Sequence, residues 1–171
     1  MTAPGPMIRI GQGFDVHPFS GDTDRPLVLG GVSFDGLPGL AGHSDGDVIA
    51  HAVTDALLGA AGLGDIGQHF PDTDPALAGA DSVGLLRRAV AALHDAGWYP
   101  QNVDCTVVLE EPSVAPQRAA MEARLADAVG APVTVKGKRA EGLGALGRAE
   151  GIACFAVALV AGGGPAGGES A

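Results

Sequence analysis

The chain has 171 residues, of which 46% are hydrophobic and 4% aromatic, and its formal net charge is −10. We expect one domain over residues 1–171, with flexible tails at 1–6 and 162–171. The charge argues against a nucleic-acid partner, because a phosphate backbone is bound by clustered cations. No stretch of the sequence approaches the roughly 20 apolar residues of a membrane span, so we expect a cytoplasmic protein without a membrane partner.

Hydrophobic periodicity predicts both strands and helices along the chain. The predicted strands cover residues 7–16, 102–109, 133–136 and 152–160, and the predicted helices cover 44–62, 81–97 and 116–130. Residues 27–34, which Gly30-Gly31 interrupts, are expected to form a second strand or a hairpin arm. Ser44 is the expected N-cap of the first helix, and Gly62 is its expected stop. Residues 64–75 are expected to form an uninterrupted loop. This order predicts a single α/β domain, in which helices pack on one face of a mixed β-sheet.

The burial of the predicted sheet has two consequences. The strand over 152–160 is apolar on both sides and is therefore expected to be central. If helices cover only one face of the sheet, a second subunit is the simplest cover for the other face, so we expect a homo-oligomer.

Cys105 and Cys154 lie in apolar runs without partners at metal-ligand spacing, which indicates two buried free thiols.

Two short segments concentrate potential metal ligands. Asp15 and His17 are separated by one residue, so a strand would point both side chains to the same side. His51 follows Asp47 by four residues and precedes Asp55 by four, so a helix would carry all three on one face. One carboxylate and two imidazoles are a common zinc set, and Asp15, His17 and His51 therefore predict a metal site. The alternative is that each histidine makes only a local hydrogen bond.

Several neighbours of these ligands allow two interpretations. Asp47 either caps the helix, by reaching back to the Ser44 backbone, or lies beside the metal. His43 precedes the helix N-terminus, which attracts phosphate, and could donate to the same anion. The segment 65–74 is rich in carboxylates and turn residues. It is either a solvated loop held by local turns or a lid over a site, which its glycines and its one aromatic residue favour.

A glycine pattern and a basic cluster lie near the C-terminus. Residues 142–147 match G-x-G-x-x-G, but a dinucleotide site is rejected because the pattern requires a following helix and an acidic residue about 20 positions later. A strand is expected next, so a tight glycine turn is the better interpretation. Lys136, Lys138 and Arg139 form either a surface charge run or a phosphate contact. Glu141 beside them could hold a second metal ion.

Five segments carry a family resemblance: Gly11-Gln-Gly-Phe-Asp15-Val-His17, His43-Ser-Asp-Gly-Asp-Val, His51 to Asp74, Glu141-Gly-Leu-Gly, and Gly147-Arg148-Ala-Glu150-Gly-Ile-Ala. Over about residues 8–160 the chain resembles the 2-C-methyl-D-erythritol 2,4-cyclodiphosphate synthases of non-mevalonate isoprenoid biosynthesis. The resemblance implies a homotrimer with active sites between neighbours. It also implies a phosphorus–oxygen lyase that converts 4-diphosphocytidyl-2-C-methyl-D-erythritol 2-phosphate to the cyclodiphosphate and CMP.

The resemblance further implies a set of site residues. Zinc is expected on Asp15, His17 and His51, and magnesium or manganese near Glu141. We predict His43, Asp47 and Arg139 as catalytic residues. The predicted substrate contacts are Asp15, Val16, His17, His43, Ser44, Asp65, Ile66, Gly67, Phe70, Pro71, Asp72, Thr73, Asp74, Lys138, Arg139, Ala140, Glu141 and Arg148.

Two segments depart from the family pattern. Lys138-Arg139-Ala140-Glu141 stands where the family usually has Thr-Thr-Thr-Glu, and Glu111-Pro112-Ser113 stands where it has Ala-Pro-Lys. Arg139 can neutralise phosphate in place of a threonine, whereas Glu111 adds negative charge near a nucleotide. Two alternatives therefore stay open. One is a paralogue acting on a different nucleotide-linked phosphate, and the other is a catalytically inactive, metal-bound trimer that serves as a binding module.

Overall fold

The computed structural model describes residues 7–162. Its strands are β1 (Met7–Pro18), β2 (Pro26–Leu29), β3 (Val32–Pro38), β4 (Trp98–Val108), β5 (Val133–Lys138) and β6 (Gly151–Gly162). Its helices are α1 (Val48–Ala61), α2 (Ile66–His69), α3 (Ser82–Asp95), α4 (Arg118–Val129) and α5 (Gly144–Gly147). Short 3₁₀ turns lie at Pro75–Leu77 and Ala115–Gln117.

Four strands form one sheet in the order β1-β6-β4-β5, while β2 and β3 form a separate antiparallel hairpin. β4 and β5 run parallel, and β6 is antiparallel to both β1 and β4. The predicted α/β class and the mixed sheet are therefore confirmed. β6 is also central, as a strand that is apolar on both sides should be.

Helices α1, α3 and α4 cover one face of the sheet, and α1 approaches β1 unusually closely. Glycines on β1 allow this approach. A Cβ added at Gly11 would lie 2.0 Å from the carbonyl oxygen of Ala56, and one added at Gly13 would lie 2.0 Å from that of Ala52. Any larger residue would push the helix away, so these two glycines set the depth at which α1 docks.

The opposite face of the sheet carries large apolar side chains that the subunit itself leaves uncovered. Two of them, Phe14 on β1 and Phe155 on β6, lie side by side with ring centroids 4.8 Å apart. We call this surface the open face; its apolar residues, 46–71% exposed, are Ile8, Ile10, Phe14, Val16, Phe155 and Val157. Contiguous apolar patches of this kind are typical of protein–protein interfaces.

The start of α1 differs from the sequence prediction. Gly46 has a φ of 78°, a left-handed conformation that cannot continue into a helix from Ser44. The helix therefore begins at Val48, and Asp47 is its N-cap. The predicted cap at Ser44 was wrong. The predicted stop is confirmed, because Gly62 is a left-handed C-cap.

Other boundaries also shifted. Residues 64–75 are not an uninterrupted loop, since α2 and the beginning of a 3₁₀ turn form within them. Residues 144–147 form the single helical turn α5 before β6, which the expected glycine turn did not include. Gly162, expected in the C-terminal tail, is the last residue of β6. The remaining tail residues lie outside the described part of the chain.

Cys105 and Cys154 are free and almost fully buried, as predicted. Among residues 7–162, none of the helices has the length and apolar character needed to cross a membrane.

Candidate metal centre and substrate cavity

Three predicted ligands meet where β1 passes the first turns of α1. The Asp15 Oδ2 atom lies 2.9 Å from His17 Nε2 and 2.9 Å from His51 Nδ1, and the two imidazole nitrogens are 3.3 Å apart. In a tetrahedral zinc site with bonds of about 2.0–2.1 Å, neighbouring ligand atoms lie about 3.3 Å apart. The three atoms therefore fit one face of such a tetrahedron, and all three residues line the cavity described below.

The electrostatics of this cluster favour a bound cation. Burial disfavours the Asp15 carboxylate, but hydrogen bonds from His17 and His51 outweigh it and hold the pKa of Asp15 well below its usual range. Burial likewise disfavours the charged form of His51, yet its hydrogen bond to Asp15 raises the pKa of the imidazole above its ordinary value. A carboxylate that draws protons onto its neighbours in this way would equally attract a metal ion.

The other ring nitrogen of His51 points into a set of hydroxyl groups. His51 Nε2 lies 2.9 Å from Ser82 Oγ and 3.0 Å from Ser44 Oγ, and the two hydroxyl oxygens are 3.1 Å apart. The Ser82 hydroxyl donates to Asp45 Oδ1, and the Ser82 amide donates to Asp45 Oδ2 at 3.2 Å. The imidazole is thus held from both ring nitrogens.

Asp47 does not face the metal centre, although it was predicted to be catalytic. As the N-cap of α1, its fully buried carboxylate accepts hydrogen bonds from the amides of Gly30, Gly31, Ile49 and Ala50 at 2.6–3.2 Å. Burial raises the pKa of Asp47 to about 6, while the amide donors oppose that rise. Asp47 joins the start of α1 to the turn between β2 and β3 and does not line the cavity described below, so the structure gives no support to the predicted catalytic role.

A cavity of about 460 Å³ opens beside the three ligands. Its size suits a small organic molecule rather than a macromolecule. Ten of its lining residues were predicted as substrate or metal contacts, namely Asp15, His17, His43, Ser44, His51, Ile66, Gly67, Phe70, Pro71 and Asp72, and the remaining ones are Gly42, Leu77 and Leu85.

The segment that forms one wall of the cavity, residues 63–74, is tied down at several points. The Asp55 carboxylate, one helical turn after His51, accepts from the Ile66 amide at 2.8 Å. At the far end, His43 Nε2 lies 2.8 Å from the Asp74 carbonyl oxygen. Of the helical stripe predicted from residues 47, 51 and 55, only His51 reaches the metal centre. Asp55 positions the cavity wall instead.

A second, smaller cavity of about 130 Å³ lies at the end of β5. Lys138 and Arg139 line it together with the loop that follows β4. Glu110 in that loop lies 3.8 Å from the Arg139 guanidinium and accepts from the Gly142 amide at 3.2 Å. Glu141 stands between these contacts with a φ of 54°, a left-handed conformation that is rare for a residue with a side chain.

Several predicted contacts do not line the large cavity. Val16 points to the open face, because alternate residues of a strand face opposite sides. Asp65 caps α2 through the Gln68 amide, and Arg148 forms an exposed ion pair with Glu150 at 2.6 Å. The predicted contacts Thr73, Asp74, Ala140 and Glu141 also lie outside its lining.

Sequence reasoning missed Asp45, Ser82 and Glu110. Ser82 was predicted only as the opening of a helix, and nothing in its spacing pointed to His51, which lies 31 positions earlier. Glu110 stands beside the noted departure at residue 111, but its contact with Gly142 spans 32 positions. The packing of α3 against α1 brings Ser82 to His51, and the parallel pairing of β4 with β5 brings the segments that carry Glu110 and Gly142 together.

Comparison with known proteins identifies relatives of this chain in sequence and in fold. The model of the YgbB family matches residues 8–161. The chain belongs to this family. It is 58% identical over 156 residues to the 2-C-methyl-D-erythritol 2,4-cyclodiphosphate synthase of Bordetella petrii, covering 90% of this chain and 95% of that protein.

Solved structures of this family have the same fold. The bifunctional IspDF of Campylobacter jejuni superposes with a TM-score of 0.88 at 40% identity, covering 94% of this chain but 44% of that longer one. IspF of Plasmodium falciparum in complex with CDP superposes with a TM-score of 0.78 at 34% identity, covering 91% of this chain and 96% of that one.

Proposed function

We propose that this protein is a metal-dependent 2-C-methyl-D-erythritol 2,4-cyclodiphosphate synthase. The substrate would be 4-diphosphocytidyl-2-C-methyl-D-erythritol 2-phosphate. An oxygen of its 2-phosphate attacks the β-phosphorus, the bond from that phosphorus to the CMP oxygen breaks, and the cyclic diphosphate and CMP are released. The observation that carries the proposal is the convergence of Asp15, His17 and His51 beside a cavity in a YgbB-family chain.

Zinc is the metal that best suits this ligand set. Two imidazole nitrogens with one carboxylate oxygen form a ligand set found in zinc sites, and three protein ligands leave a coordination position for substrate. When bound, zinc would supply positive charge to the diphosphate oxygens. The protein's own contribution is to hold the substrate so that attack is intramolecular, which removes the need for a protein nucleophile.

His43 and the 63–74 wall would position the phosphates. His43 lies at the cavity with its Nε2 atom bound to the Asp74 carbonyl, so its ring is held in place before substrate arrives. The neighbouring wall presents Phe70, whose ring has the Arg88 guanidinium 4.8 Å from its centroid. Preorganised groups of this kind stabilise developing charge without reorganising during the reaction.

The second half of the site would come from the end of β5. Lys138 and Arg139 are cations next to the small cavity, and Glu141 would hold magnesium or manganese on the diphosphate. β1 and β5 are the two edges of the sheet, so three strand spacings, or about 14 Å, separate their ends. We propose that the metal centre of one subunit meets the basic cluster of its neighbour, which would join the two halves more closely.

The homotrimer that we propose would provide that arrangement. The open face supports it, because an apolar sheet surface centred on Phe14 and Phe155 needs a cover in water. Light scattering should give about three times the 16.9 kDa subunit mass. The acidic net charge supports a small-molecule substrate over a nucleic acid, and the two free thiols suit the reducing cytoplasm.

The reaction itself can be followed directly. Purified protein with zinc and magnesium should convert the cytidine substrate to a cyclic diphosphate and CMP, observed by phosphorus NMR. His51→Ala should lose bound zinc and turnover together. The matched control is His94→Ala, which removes an exposed imidazole at the end of α3 that stacks on Tyr99. Full turnover by the His51 variant, or no CMP from the wild type, would contradict the proposal.

A thermal-shift screen separates the alternatives. A cytidine nucleotide should raise the melting temperature more than uridine, adenosine or guanosine nucleotides. Preference for another base would favour the paralogue, and no response to any nucleotide together with bound zinc would favour the inactive binding module.

A further inference from the structure

We propose that Asp45, acting through the Ser82 hydroxyl, fixes the His51 tautomer that leaves Nδ1 free to bind the metal ion. Asp45 and Ser82 are thus positioning residues, since neither lines the substrate cavity. The inference rests on the metal centre of the proposed function, but it concerns groups that the ligand set does not include.

The Asp45 carboxylate fixes the position of the Ser82 hydroxyl hydrogen. Its carboxylate offers acceptors only, and three donors address it: the Ser82 hydroxyl, the Ser82 amide at 3.2 Å and the Asp47 amide at 3.1 Å. A hydroxyl has a single hydrogen, so the Ser82 hydrogen is committed to Asp45. Toward His51, the Ser82 oxygen can therefore act only as an acceptor.

The Ser82 oxygen in turn determines which ring nitrogen of His51 carries the hydrogen. Ser82 Oγ lies 2.9 Å from Nε2 and is fully buried, so this contact excludes water as a substitute partner. An acceptor at that position requires a hydrogen on Nε2. In the neutral imidazole that a metal binds, a hydrogen on Nε2 leaves the lone pair on Nδ1. Nδ1 is the atom that lies 2.9 Å from Asp15.

Ser44 completes the arrangement without changing it. Its oxygen accepts from the Gly46 amide at 3.2 Å, and its hydroxyl hydrogen can be donated to Ser82 Oγ at 3.1 Å. The distances among Ser82, His51 and Asp15 are those of a serine–histidine–aspartate triad. The hydrogen-bond chain from Asp45 through Ser82 to His51 excludes that chemistry, because an Nε2 atom that already carries its hydrogen cannot accept one from either serine.

The proposal can be tested by measuring zinc affinity in competition with a chromogenic chelator. Ser82→Ala should weaken Zn²⁺ binding by about ten- to a hundredfold, the usual cost of losing an outer-shell partner of a histidine ligand. Ser82→Thr keeps the hydroxyl and should stay within about threefold of the wild type. Asp45→Asn retains an acceptor for Ser82 and should fall between these two. Ser33→Ala, an exposed serine on β3, is the control for the substitution itself.

A spectroscopic readout separates tautomer control from a general structural defect. In the zinc-loaded wild type, long-range ¹H–¹⁵N NMR should show a protonated Nε2 and a metal-bound Nδ1 on His51. Zinc on Nε2 would overturn the proposal, as would Ser82→Ala protein that binds Zn²⁺ within twofold of the wild type. If His51→Ala keeps its zinc, the metal centre of the proposed function fails. If Ser82→Ala keeps its zinc and His51→Ala loses it, only the proposed role of Asp45 and Ser82 fails. Should Ser82→Ala not fold, Asp45→Asn decides the matter: weaker Zn²⁺ binding supports the proposal, and binding within twofold of the wild type overturns it.

Discussion

The contact between β1 and α1 gives the sharpest prediction, because a single methyl group tests it. In Gly13→Ala, the new Cβ would lie 2.0 Å from the Ala52 carbonyl oxygen and 2.6 Å from the Ala56 amide nitrogen. Ordinary contact begins at 3.4 Å, so α1 would have to move by about 1.4 Å. Both opposing atoms belong to the helix backbone and cannot rotate away as a side chain would.

The size of the effect follows from this geometry. Overpacking a core costs about 1–3 kcal/mol when side chains can adjust, and a backbone obstacle places Gly13→Ala at about 3 kcal/mol or more. For a chain of this length, that loss lowers the melting temperature by about 6–12 °C. Ala52 adjoins His51, so the helix shift would also displace a metal ligand beyond the tolerance of about 0.2 Å for a zinc site. Zinc affinity should fall at least tenfold.

Calorimetry and chelator competition would measure the two effects. Gly59→Ala is the matched control, because it adds the same methyl group to an exposed position of α1 with no atom beyond its own helix within 4 Å. That variant should be neutral or up to about 1 kcal/mol more stable, since alanine is the better helix former. A melting temperature for Gly13→Ala within 2 °C of the wild type would refute the reasoning about helix docking.

Two other predictions concern Asp47 and the open face. Folding raises the pKa of Asp47 from 3.8 to about 6, so the folded state holds this proton more tightly. This proton therefore contributes about 3 kcal/mol to the free energy of unfolding, and the contribution is fully present below about pH 4 and is lost as the pH rises through 6. Asp47→Asn should remove this part of the pH dependence in urea unfolding at pH 4–7.5, and an unchanged profile would contradict it. Phe155→Asp should dissociate the proposed oligomer into 16.9 kDa subunits by light scattering, and an intact assembly would exclude the open face as the interface.

The sequence predicted those features that depend on local spacing. The pair Asp15 and His17 lies on one strand, and His51 lies near the start of one helix, so each orientation follows from the period of its own element. Likewise, the continuous apolar character of β6 indicates a central strand whatever its neighbours are. Composition alone left residues 65–74 as either a solvated loop or a lid over a site, and the resemblance to a family then identified Phe70 and its neighbours as substrate contacts.

Long-range contacts account for what the sequence could not predict. An aspartate at an N-cap can turn toward a ligand or toward any nearby amide. The Gly30–Gly31 turn that captures Asp47 lies 16 and 17 positions away and is brought there by the β2–β3 hairpin. The same applies to α2, whose first amide is held by Asp55. A four-residue helix has little intrinsic stability, and its polar sequence therefore resembles a loop.

The metal centre depends on small residues as much as on its ligands. β1 has glycines at positions 11 and 13, and α1 has alanines at 52, 56 and 60, one per helical turn on the side that faces the strand. The contact between Gly13 and Ala52 stands next to two ligands, because Gly13 is two positions before Asp15 and Ala52 follows His51. Larger side chains at this seam would separate strand and helix, and three ligands on two elements would no longer surround one ion. The small residues between β1 and α1 therefore matter for the proposed chemistry, because the depth at which the helix docks sets the distance between the metal ligands.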